Sequence, residues 1–97
     1  MRAKYIPPAE VKSPKDKWVL AKVLIAGSEK KGALSIGWYK EKPVFGMRWN
    51  GSRNHQLGTP HSHNKSTWFI VPDRFAEAIV ESLHGGTKKT ARKFFDR

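Results

Sequence analysis

Between Arg48 and Phe69 the chain reads RWNGSRNHQLGTPHSHNKSTWF, a polar stretch with His55, His61, His63, Arg53 and Lys65 and no aspartate or glutamate. His61 and His63 would point to one side of an extended segment, with His55 as a possible third ligand for a metal. Structural zinc takes four protein ligands, and the chain has 0 cysteines. One imidazole could instead act as general acid or base while Arg53 and Lys65 hold a phosphate, which would make a histidine-based nuclease. No Ser-His-Asp order, phosphate-cradling glycine loop or dinucleotide fingerprint accompanies the histidines. The favoured expectation is therefore contact without catalysis and without metal or cofactor. Donors and cations of this kind suit phosphates and base edges. The plainer alternative is a solvated connector, although loops longer than about 12–15 residues are uncommon in small domains unless they do work.

Charge supports an anionic partner. Lys and Arg total 19 against 8 Asp and Glu, a formal net charge of +11 over 97 residues. A field of that sign attracts polyanions, of which nucleic acid is the commonest in a cytoplasm. The absence of cysteine suits a reducing compartment. The opening residues MRAKYIPPAEVKSPKDK hold no apolar run of the signal-peptide kind, and no run approaches the roughly 20 residues of a membrane helix. A cytoplasmic protein without a membrane partner is expected.

The elements that must carry these side chains follow from periodicity. Residues 1–17, with Pro7, Pro8 and Pro14 among charges, read as a basic flexible arm. WVLAKVLIA (18–26), ALSIGWYK (33–40) and PVFGMRWN (43–50) alternate with the two-residue period of strands. The short turn at Glu41, Lys42 and Pro43 makes the second and third a hairpin. STWFIV (66–71) reads as a fourth strand, rich in β-formers. Pro72-Asp73 then opens a helix whose Phe75, Ala76, Ile79, Val80 and Leu83 form one stripe. His84-Gly85-Gly86 stops it. The fold expected is α+β, a four-stranded antiparallel sheet followed by one helix, over residues 18–84. Residues 85–97 form a basic tail, either a short helix or disordered.

One helix leaves the other face of the sheet open, and a homodimer would cover part of it. If the helix lies on Phe45, Met47 and Trp49, then Val44, Gly46 and Arg48 look outward, and Gly46 lets a partner approach the backbone. Trp38 with Lys22, Lys40 and Arg48 is the expected open-face set, its ring a platform for unpaired bases. The alternative is that all four tryptophans are core or dimer contacts. Arg53, His61, His63 and Lys65 extend the site into the loop. Lys88, Lys89, Arg92 and Lys93 extend it into the tail.

Two likenesses bear on this. At 48–50 and 67–75 the WNG strand end, the Gly-x-Pro loop and the TWFIVP strand resemble a set of small bacterial and mobile-element proteins of unsettled function. More distantly, the element order is similar to the single-stranded-DNA-binding fold of the positive-cofactor-four coactivator and the Whirly proteins. That resemblance implies a dimer whose sheets hold unpaired DNA, with Lys22, Trp38, Lys40 and Arg48 as the matching positions. The Lys-Gly pair of that fold is replaced by Lys65-Ser66-Thr67 here. The function expected is non-catalytic nucleic-acid binding, single-stranded DNA or RNA favoured. The competing expectation is a protein-interaction or inhibitor module from a mobile element, with the histidine loop as its contact surface.

Overall fold

The computed structural model describes residues 5–96; residues 1–4 of the expected arm and Arg97 of the tail lie outside them. Strands β1 (Trp18–Ile25), β2 (Gly32–Tyr39) and β3 (Lys42–Trp49) form an antiparallel meander. Lys65–Ser66 pairs with His61–Ser62 in a separate two-stranded ribbon, here β5 and β4. The main sheet ends on β6 (Phe69–Ile70), which joins the far side of β3 to give the order β1-β2-β3-β6. After a short 3-10 helix at Asp73–Phe75 come helices α1 (Ala76–Ser82) and α2 (Gly85–Phe95). The α+β class and the four-stranded antiparallel sheet agree with the sequence reading. The fourth strand is shorter than expected because Trp68 turns away from it. Its backbone N–H donates to Ser13 and its indole N–H to Val11.

Register assigns the faces. Ile36 opposes Phe45 and Leu34 opposes Met47, so these four share one side of the sheet with Trp38 and Trp49. α1 lays Ala76 and Val80 on that side, with Leu83 behind them. The basic tail is a helix rather than a free end: Ala91, Phe94 and Phe95 recur at helical spacing and pack on the same core. Phe95 lies 4.7 Å from the Phe45 ring.

The opposite side is not open. Trp18 lies across Gly37 and Gly46, and Trp68, Ala33 and Val11 close over it to form a second core. The expected flexible arm is, from residue 5 onward, a strap on this face. Val11 is 1% exposed, Ile6 packs beside it, and the Ile6 N–H reaches the Gln56 carbonyl. Two apolar anchors outweigh a composition that otherwise reads as disorder. The close approach at Gly46 is made by the chain's own Trp18. Burial on this face thus comes from within the chain. No helix among the described residues is long and apolar enough to cross a membrane.

α1 and α2 are joined by charge. Glu81 accepts from Arg92 and, at 3.5 Å, from Lys88. The Arg92 hydrogen bond, helped by the Lys88 charge, holds the Glu81 carboxyl below the usual carboxylate range. Because the folded-state value is depressed, its stabilisation is present above the unfolded value and is lost as pH falls through the folded one. The carboxylate is exposed, so the effect is small. Melting temperatures of the wild type and Glu81→Gln should differ slightly at neutral pH and converge in acid. A gap that persists in acid would show that the glutamate acts by packing.

Candidate nucleic-acid interface

Arg48 decides the shape of the histidine loop. It sits on β3 facing the second core and is 4% exposed, not outward-looking. Its guanidinium donates to the carbonyls of Leu57, Pro60 and Thr67. Burial pushes its pKa down, and no carboxylate partners it in the described structure. A planar fork with several donors is suited to gathering separate carbonyls in this way. Asn50 anchors the loop's start, its side-chain amide donating to Ala26 and Ser28 at 2.8 and 2.9 Å. The Ser66 hydroxyl donates to Leu57, closing the far end.

Pinned in this way, the loop becomes a small scaffold. Trp49 and Thr59 exchange backbone hydrogen bonds, and Ser52 with His55 closes a tight turn. The ribbon β4–β5 reverses at His63-Asn64, both left-handed with φ of 52° and 62°. Positive φ at both central residues is what a tight two-residue hairpin requires, and asparagine tolerates it well. His55, His61, His63, Arg53 and Lys65 are all exposed on this scaffold. The rings of His55 and His61 stand edge to face, 5.6 Å apart. Lys30 and Lys31 join them from the neighbouring turn, through Lys30 N–H to Gly51 and Asn50 N–H to Lys31. Glu29 is the nearby carboxylate, accepting from the Arg53 backbone at 3.2 Å. Among the described residues no three His, Cys, Asp or Glu side chains form a metal-binding group.

Of the expected open-face set, Arg48 is buried, whereas Lys22, Trp38 and Lys40 stay exposed on or beside the helix side of the sheet. Arg48 is consumed as described, because three inward carbonyls need a donor there. Lys22 is exposed on β1 opposite Ile36, on the helix side. Trp38 is on that side too, 5.1 Å from Phe94 and 40% exposed. It lines a hollow with Lys17, Val19 and Lys40, but Asp16 and Glu41 line it as well, so the fixed charges cancel. Lys88 and Arg92 are engaged with Glu81, while Lys89 and Lys93 are exposed on α2. No family model, no curated protein and no solved structure matches the chain.

The sequence reading missed a further feature. Met47 and Trp49 share the face of Phe45, yet they are 38% and 62% exposed. Phe69 opposes Met47 and is 54% exposed; Ile25 opposes Leu34 and is 44% exposed. Both helices pack at one end of the strands. Seven residues of α1 span about 10 Å, whereas an eight-residue strand spans about 26 Å. The helices cover the Ile36–Phe45 end and leave the other uncovered.

Proposed function

We propose that the protein binds nucleic acid without catalysis, favouring unpaired DNA or RNA, and that the loop scaffold is its contact surface. One observation carries this reading. A stretch free of carboxylates, residues 48–69, is tied down by Arg48 and turns Arg53, Lys65 and three imidazoles to solvent beside Lys30 and Lys31. A rigid scaffold loses little entropy on binding, so its cations act at full effect. Imidazole rings offer flat surfaces to splayed bases, which a duplex keeps stacked inside. The net charge of +11 adds attraction at longer range.

The test is a salt titration with fluorescent oligonucleotides. Affinity should fall with salt at a log–log slope of about −0.7 for each phosphate neutralised on a single strand. The combined variant Lys30→Gln, Lys31→Gln, Arg53→Gln, Lys65→Gln should weaken binding and flatten that slope. Absence of binding at low salt would overturn the reading. So would a slope unchanged in this variant but flattened by Lys89→Gln with Lys93→Gln, which would move the contact to α2.

A further inference from the structure

The uncovered end of the sheet is a groove of about 580 Å³ running between α1 and the loop. Ile25, Leu34, Met47, Trp49 and Phe69 form its floor, with Ile79 and Leu83 on the α1 side. We propose that it docks a short acidic amphipathic helix of another protein. Its lining is carbon almost throughout. Thr59 and Ser82 supply hydroxyls, and the Arg48 guanidinium that also borders it turns its two terminal nitrogens to carbonyls.

Three occupants compete, and the observations separate them. A nucleobase would lose water from its N–H and C=O edges without regaining hydrogen bonds from such walls. A second copy meets two obstacles. The exposed parts of Ile25, Met47, Trp49 and Phe69 together offer on the order of 400 Å². A stable dimer buries about 800 Å² on each partner. Each copy would also bring a charge of +11 against the other. A helix fits on both counts. The groove runs along residues 32–34 of β2 and 47–49 of β3, about 10 Å of strand, the length of roughly seven helical residues. Apolar anchors at i, i+3, i+4 and i+7 would enter the groove, as helix-in-groove partners do. Asp and Glu between them would meet the net charge of +11 that the chain carries.

The experiment screens displayed random peptides, long enough for three helical turns (about 11 residues), against the full chain. Enriched peptides should show helical apolar spacing with acidic residues between the anchors. A synthetic labelled winner should bind, and Phe69→Ser or Met47→Gln should weaken it at least tenfold. Both side chains are more than a third exposed, so circular dichroism and melting temperature should stay at wild-type values. Enrichment of basic or aperiodic peptides, or of none, would overturn the proposal. Winners indifferent to both variants would do the same. Displacement of the peptide by an oligonucleotide blocked by Phe69→Ser would assign the groove to nucleic acid. A dimer in sedimentation that Phe69→Ser abolishes would assign it to a second copy.

Discussion

Replacing Arg48 with methionine removes about 3 kcal/mol of stability and releases the histidine loop while the sheet and helices stay folded. The figure follows from what each carbonyl keeps. Leu57 retains the Ser66 hydroxyl and Pro60 retains the Thr67 N–H, so each loses one of two donors. The Thr67 carbonyl loses the guanidinium. A buried acceptor left unpaired costs about 1–3 kcal/mol, and hydrogen bonds from a charged group contribute about 1.5–3 kcal/mol each. Against these losses, methionine removes a desolvated cation that has no carboxylate partner, which returns part of the cost. Arginine is not deprotonated in proteins at ordinary pH. The difference between wild type and variant should therefore be flat across the neutral range. Lysine at this position keeps the charge but lacks the fork, and should recover less than half. Urea melts give the stability, and hydrogen exchange over residues 51–67 reports the loop. If the variant melts like the wild type with those amides still protected, Arg48 does not organise the scaffold. Oligonucleotide affinity should fall with protection, because a slack loop must be ordered on binding.

The parts of this architecture that were legible in the sequence are those fixed by neighbours along the chain. The alternation in WVLAKVLIA, ALSIGWYK and PVFGMRWN places the three long strands within a residue or so of Trp18–Ile25, Gly32–Tyr39 and Lys42–Trp49. The stripe of Phe75, Ala76, Ile79, Val80 and Leu83 reveals α1 in the same way, although Phe75 ends the 3-10 turn before it and is exposed. The parts that escaped depend on partners far apart in sequence. An arginine on a strand reads as outward because burying a cation is costly. Only the return of Leu57, Pro60 and Thr67 makes the interior acceptable for Arg48. Val11 and Ile6, isolated among prolines and charges, carry no period, and their burial depends on Trp68 arriving from the other end of the chain. The proposed contact surface accordingly rests not on the sheet but on the loop, which the sequence reading already included. Positive charge and rings are gathered there, but the rings are imidazoles and the tryptophans serve elsewhere.

The largest single loss expected in this protein is at Trp18. Its ring is 2% exposed and lies over a floor made by the absence of side chains. A Cβ on Gly37 would stand 2.5 Å from the ring and would also press on the Val19 carbonyl. A Cβ on Gly46 would stand 3.3 Å from the ring and 2.9 Å from the Ser35 hydroxyl. Trp18→Ala should cost about 3–5 kcal/mol, as removal of a large buried aromatic does, out of a total of about 5–15 kcal/mol. Gly37→Ala and Gly46→Ala should each cost about 1–3 kcal/mol by overpacking. The combinations discriminate further. Without the ring, Gly46→Ala should become nearly neutral, because what remains near its Cβ is a hydroxyl that can rotate. Gly37→Ala should stay costly, because the Val19 carbonyl is backbone and cannot yield. The coupling of 18 with 46 should therefore be larger, relative to the single-site cost, than that of 18 with 37. Strict additivity in both cycles would mean that the ring does not rest on the glycines. The consequence reaches the loop, since Trp68 packs 6.3 Å from Trp18 and ties down residues 11–13. Trp18→Ala should thus loosen the strap and the scaffold together, whereas Arg48→Met loosens the scaffold alone.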